Sequence, residues 1–207
     1  MATAMRWVLG VAMAVVLTVV PTVYYRSVYT DQKRLRVVSL GKLYRSGQLS
    51  ADGFTRAVLR YGIRTIINAQ DEVLDPDVPG NWFNTHTIKE SELCRQLGVR
   101  YVHLPPGLIS RRRIPGERPD AIEQFLELMD DPANHPVLLH CRAGLHRTGV
   151  LCAVYRMEYE DWTQQEAIAE MKEQGFGQFF CTSANDYVTQ YVLTFRPGMR
   201  KAVKVAE

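Results

Sequence analysis

The 207-residue sequence predicts an α/β domain with a central, mainly parallel sheet flanked by helices, preceded by an N-terminal transmembrane helix. Three observations carry that expectation. Short β-branched runs alternate with stretches of helical periodicity, the pattern of crossover-connected parallel strands. Two of the runs, IRTIINA and PVLLH, are nearly unbroken apolar segments, as expected of strands buried on both faces. And no charged residue occurs between Trp7 and Tyr25.

That uncharged run spans about 28 Å at helical rise, close to the hydrocarbon thickness of a bilayer. Trp7, Tyr24 and Tyr25 stand at its ends, where an interfacial belt would place them. A cleaved signal peptide is the main alternative, although the exit Val20-Pro21-Thr22-Val23 lacks an A-x-A pattern. A core helix is disfavoured because the run has no polar face. Arg26, Lys33, Arg34 and Arg36 outnumber Arg6 as flanking cations, so the following domain is expected on the cytosolic side. The expected organisation is an anchor and juxtamembrane linker over 1–36, a catalytic domain over 37–197 and a tail over 198–207.

Within the domain, Leu35 to Leu40 and Lys42 to Tyr44 read as a first strand or hairpin broken at Gly41. Ser50 to Arg60 has helical spacing, with Gly62 as its stop. Ile63 to Ala69 is a strand, and the Pro-, Gly- and Asp-rich stretch from Asp71 to Asn84 a loop. A helix over Ile88 to Leu97 and a strand over Tyr101 to Leu104 follow. Pro105 to Pro119 is too long for a bare connector and is suspected of function. Next come a helix from Asp120 to Met129, the strand Pro136 to His140, and helices over Arg147–Glu158, Thr163–Gln174 and Ser183–Phe195.

The chemistry concentrates after PVLLH, in His140-Cys141-Arg142-Ala143-Gly144-Leu145-His146-Arg147-Thr148-Gly149. A strand end delivers Cys141 to a tight turn, Gly144 permits close backbone approach, and a helix opens near Arg147. The amides of Arg142, Ala143, Gly144, Leu145, His146 and Arg147 then converge into an anion-binding nest, strengthened by the helix N-terminus. The same field favours a thiolate nucleophile. Arg147 presents a planar fork for two phosphoryl oxygens, and Thr148 a hydroxyl that can assist the departing sulfur. The pattern describes metal-free phosphoryl transfer.

Competing readings are weaker. No C-x-x-C or paired ligand spacing supports a metal, and His140 and Cys141, as strand neighbours, face opposite sides. The nucleotide-binding G-x-x-x-x-G-K-[ST] is absent. No second nearby cysteine supports a thiol oxidoreductase; Cys152 reads as core. A net charge of +3 suits an anionic substrate and falls short of a nucleic-acid footprint. No cofactor is implied.

At these residues the sequence resembles the cysteine-based protein tyrosine phosphatase superfamily, whose signature is H-C-x-x-G-x-x-R-[ST]. Lys42 to Gly47, Gly62 to Ile67 and Asn134 to Pro136 extend the likeness to the plant and fungal atypical dual-specificity phosphatases and their bacterial relatives. The resemblance implies a dual-specificity phosphatase-like sheet with the signature loop at the pocket base. It also implies a phosphorylated protein substrate, or alternatively an inositol (pyro)phosphate or phosphoinositide. A non-catalytic phospho-binding protein is a further alternative. In the superfamily an Asp about thirty residues before the nucleophile usually protonates the leaving group, yet the window 107–116 holds no acid. Asp120 and Glu117 are the nearest candidates, Asp120 doubling as a helix N-terminal residue. Asp71 and Glu72, just past IRTIINA, are a second pair that the fold should bring to the same sheet edge. The missing acid points toward leaving groups that need little protonation. Arg111 to Arg113 read either as a solvated charge run or as a second anion contact at the pocket mouth.

Overall fold

The computed structural model describes residues 2–81, 83–105, 107, 119–178 and 188–200. A helix α1 (Ala2–Asp31) leads into β1 (Arg36–Ser39), β2 (Leu43–Gly47), α2 (Ala51–Tyr61) and β3 (Thr65–Asn68). A short hairpin, β4 (Asp77–Pro79) and β5 (Thr87–Lys89), precedes α3 (Glu90–Gln96) and β6 (Arg100–His103). Then come α4 (Asp120–Asp130), a 3-10 turn, β7 (Val137–Cys141), α5 (Arg147–Tyr159), α6 (Gln164–Glu173) and α7 (Thr189–Thr194).

Among the described residues the main sheet has the order β1-β2-β7-β3-β6, with β2, β7, β3 and β6 parallel and β1 antiparallel at the edge. The latest strand in sequence is therefore inserted at the centre. Its end, Cys141, lies between the ends of β2 and β3, with Gly47 paired to Cys141 and Asn68 to His140. This arrangement places the functional turn at the middle of the carboxyl edge, where ligand sites of open α/β sheets form.

The two faces of the sheet build separate cores. Val137, Leu139 and Cys141 point to one, packed with α4, α5, α6 and α7 through Phe125, Leu126, Val150, Val154 and Phe195. Leu138 points to the other, with Phe54, Ile66, Leu93 and Cys94 from β3, α2 and α3. Helix α5 is buried on nearly all sides, Arg147 to Tyr155 and Met157 losing nearly all contact with solvent, so it shows little amphipathic signal.

Local signals set most boundaries. Ser50 caps α2 by accepting from Gly53 N, and Gly62 ends it in the left-handed conformation (φ 63°). Thr163 and Glu166 form a reciprocal capping box on α6. Two expectations are corrected. The stretch taken as loop from Asp71 contains β4, and Ile88 belongs to β5, so α3 starts at Glu90. Val78 and Ile88 pair across that hairpin, with Val78 fully buried, and this tertiary burial overrides the helical spacing around Ile88. The helix expected over Ser183–Phe195 lies partly outside the described residues; its described part is α7, Thr189–Thr194. Phe179, Phe180, Cys181, Glu117 and Arg111 to Arg113 also lie outside them.

Helix α1 carries a 28-residue stretch, Ala4–Asp31, apolar and long enough to cross a membrane and not buried within the chain. Its end is nonetheless built into the domain. Asp31 is buried, accepts from Ser50 Oγ at 2.6 Å and pairs with Arg56 at 2.7 Å, and Thr30 O accepts from Ser50 N. These contacts fix the end of α1 to the start of α2.

Candidate active site

The signature turn is braced from outside. The carbonyls of Arg142, Ala143 and Gly144 accept from Gln48 N (3.3 Å), Arg34 Nη1 (3.0 Å) and Arg45 Nη2 (2.9 Å). Those of Leu145 and His146 accept from Gly149 N and Val150 N in the first turn of α5. Because each peptide is planar, a carbonyl turned outward turns the next N–H inward. Residues 143–147 therefore aim their amides at the centre of the loop, and Gly144 N already reaches Cys141 Sγ at 3.2 Å. This is an anion nest with a thiol at its base.

Gly144 is required here. Its φ is +72°, and a Cβ would sit 2.6 Å from Gly47 N and Ser46 O, both backbone atoms. Cys141 itself is 3% exposed. Thr148, next to Arg147, is fully buried, and its Oγ1 has no partner among the described residues.

Arg147 is held by two carboxylates. Its Nη1 and Nη2 donate to Glu72 at 2.9 and 2.6 Å, and its Nε lies 3.0 Å from Asp71 Oδ2, off the hydrogen-bond line. Asp71 Oδ1 also accepts from Gly107 N. Hydrogen bonds from Arg147 hold the Glu72 carboxyl below the ordinary carboxylate range. The sequence places Asp71 and Glu72 at this edge, and the structure turns them from solvated loop acids into partners of Arg147. Glu72 is thereby favoured as an anion, and the oxygens of both side chains are occupied by partners. Asp120, by contrast, is the exposed first residue of α4, caps nothing, and has no bond to the signature loop among the described residues.

A polar chain supports the turn from the opposite face. His140 Nε2 lies 2.7 Å from Glu90 Oε1, both fully buried, and Glu90 Oε2 accepts from Gln48 Nε2 at 2.8 Å. Gln48 in turn accepts from Gln70, whose N–H donates to Asn68 Oδ1. His140 and Cys141 indeed face opposite ways, and among the described residues no cluster of metal-ligating side chains occurs. His146 packs edge-on against Phe176 at 5.7 Å; burial, with Arg147 beside it, lowers its pKa. Cys152 is core, its thiol pushed up to about 11 by burial.

Several contributors escape sequence reading. Lys33 packs across Gly47, and burial lowers its pKa while the nearby Cys141 sulfur opposes that shift. Arg34, Arg45, Gln48 and Glu90 reach the loop only through the fold. Arg45 gives one signal, since a cation inside a fully buried strand needs a nearby acceptor.

The family model described as a DSP-PTPase phosphatase fused to NAD+ kinase matches residues 19–187. The chain belongs to this DSP-PTPase family. The dual specificity protein phosphatase TpbA of Pseudomonas aeruginosa is 48% identical over 42 residues, 20% of this chain and 19% of that one. The inositol diphosphatase DSP4 of Arabidopsis thaliana is 46% identical over 37 residues, 18% and 19% of the two chains. The aligned stretch thus spans about a fifth of the length of these relatives. The DSP-PTPase fold itself extends much further. The catalytic domain of the PP-IP phosphatase Siw14 from S. cerevisiae superposes with a TM-score of 0.59 at 20% identity, covering 79% of this chain and 86% of that one. The crystal structure of P. aeruginosa TpbA gives 0.57 at 21%, covering 79% and 91%.

Proposed function

We propose that the chain is a cysteine-dependent phosphatase of the dual-specificity type, hydrolysing phosphate monoesters through a phosphocysteine. The observation that carries this reading is Cys141 at the base of an inward-facing amide nest, with the Arg147 fork beside it. A phosphoryl group seated in the nest is held by the amides of residues 142–147 and by Arg147, which exchanges carboxylate oxygens for phosphoryl oxygens. Cys141 Sγ attacks phosphorus in line with the leaving oxygen, forming the S–P bond as the O–P bond breaks. Water then attacks phosphorus and the S–P bond breaks, the sulfur leaving as a thiolate stabilised by the nest and by the Thr148 hydroxyl. Arg142, Ala143, Gly144, Leu145 and His146 serve as phosphate ligands through their backbone.

Asp120 is the proposed proton donor, its exposed carboxyl making no hydrogen bond or ion pair among the described residues. A second reading, hydrolysis of a diphosphate such as an inositol pyrophosphate, draws support from the commitment of Asp71 and Glu72 to Arg147. A phosphate leaving group departs without an acid.

The test is turnover of p-nitrophenyl phosphate, a phosphotyrosine peptide and inositol phosphates by the full chain and by Cys141→Ser. The variant should lose about 10³-fold or more in kcat while still binding phosphate. Activity retained in Cys141→Ser refutes the mechanism.

A further inference from the structure

Two arginines are buried among the described residues, Arg147 and Arg45, and their charges are balanced differently. Arg147 has Glu72 on both terminal nitrogens and Asp71 beside Nε. Arg45, 3% exposed, makes no ion pair among the described residues. Its Nη2 donates to Gly144 O at 2.9 Å, and its buried Nη1 has no partner there.

The strand explains the placement. Along β2, Leu43 packs into the core on the α5 side and Tyr44 into the other, so the pleat sends Arg45 toward α5. Its Nη2 lies 3.9 Å from where a Cβ on Gly149 would stand. The guanidinium therefore sits between the signature turn and the first turn of α5. Glu170 of α6, which acts with Arg45 on the buried Cys152 thiol, gives both carboxylate oxygens to Arg156. Arg36, opposite Arg45 across β1 and β2, is a further cation, and burial, then Arg45 and Arg34, lower its pKa. A buried cation without a carboxylate is costly, and an anion one peptide away offsets that cost.

We propose that Arg45 is a positioning residue whose uncompensated charge, acting through the Gly144–Leu145 peptide, holds the phosphoryl anion in the nest. The proposal rests on the phosphatase reading above and adds a determinant of anion affinity behind the loop. Arg45 touches no substrate atom. Its grip on Gly144 O turns the Leu145 N–H inward, and its charge polarises that peptide so that the N–H donates more strongly. Arg147 meets the same anion from the front, after releasing two carboxylates; Arg45 has none to release.

The experiment compares Arg45→Met and Arg45→Lys with the native full chain, in denaturation with and without orthovanadate and in p-nitrophenyl phosphate turnover. Arg45→Met removes a buried, unpaired charge, so its anion-free midpoint should equal or exceed the native one. The rise produced by vanadate should shrink, vanadate affinity falling by about tenfold or more, and KM should rise more than kcat falls. Arg45→Lys keeps the charge and a donor, and should hold vanadate affinity within about threefold of native. A brace that acts by geometry alone gives a lowered anion-free midpoint and a fallen kcat with vanadate affinity intact, and that result overturns the proposal. Equal losses of vanadate affinity in the Met and Lys variants overturn it as well. Should Arg45→Met not fold, Arg45→Gln, an uncharged donor, takes its place against Arg45→Lys. Failure of both uncharged variants to fold would make Arg45 a structural residue and also overturn the proposal. A native chain stabilised by vanadate that turns over no phosphate ester would instead sink the phosphatase reading, leaving the role of Arg45 in anion binding in place.

Discussion

His140 and Cys141 are neighbours in the chain and end on opposite faces of the same strand, and the two faces are constructed by different physics. Around Cys141 the face is apolar, filled by the buried helix α5 and its neighbours, and its polarity comes from backbone amides and the helix N-terminus. Around His140 a buried carboxylate, an imidazole and two glutamines form a continuous hydrogen-bonded chain within an otherwise apolar core. Reactivity is kept on the face whose dipoles are fixed by covalent geometry, and support on the face whose side chains can satisfy one another. A sulfur nucleophile gains from donors that need not reorganise, whereas a buried carboxylate is tolerable only when its oxygens are paired.

The largest test of that contrast is Glu90→Ala. It leaves His140 Nε2 and Gln48 Nε2 without their acceptor in a dry core, so we expect a loss of about 3 kcal/mol in chemical denaturation. A cost near zero would mean that the polar chain does not anchor the loop. Next is Gly144→Ala on the Cys141 face. The new Cβ collides with the backbone of Ser46 and Gly47 at 2.6 Å, so the turn must shift and its amides lose aim. We expect kcat to fall by about 100-fold, with KM changing far less.

Smaller effects sharpen the picture at Arg147. Glu72 engages both terminal nitrogens from a side chain 58% exposed, so the pair is screened and contributes little to stability. Glu72→Gln removes a competitor for the fork and should tighten vanadate binding by about threefold, read by inhibition of p-nitrophenyl phosphate turnover. The smallest effect is on pH. The folded chain depresses the pKa of His146, so between that lowered value and about 6.5 the unfolded chain binds the extra proton. Stability should therefore decline as pH falls through that window. Denaturation midpoints at about pH 7.5 and about pH 5.5 should differ in that direction, and His146→Gln should shrink the difference.

Legibility in the sequence followed the range of the interaction. Caps at Ser50, Gly62 and Thr163, the buried strand PVLLH and the turn from Cys141 to Arg147 depend on neighbours a few residues away, and they could be read directly. The hairpin β4–β5 could not, because Ile88 is compatible with helix spacing and becomes strand only against Val78. The acid question shows the same limit. The sequence identifies Asp71 and Glu72 as acids past a strand, but their pairing with Arg147 spans about 75 residues and appears only when β7 inserts beside β3.

By itself, then, the sequence determined the α/β order, the apolar N-terminal run and the signature turn that carries Cys141 and Arg147. All of these are encoded by periodicity or by close spacing along the chain. Tertiary structure alone decided which groups brace them: Arg34 on Ala143, Arg45 on Gly144, Glu90 on His140, and the end of α1 on the sheet edge that bears the site. The three side-chain braces join segments from 50 to 109 residues apart, and the α1 contact segments about twenty apart or fewer. Crossover connections bring them together, and no local pattern records which strand ends will be neighbours.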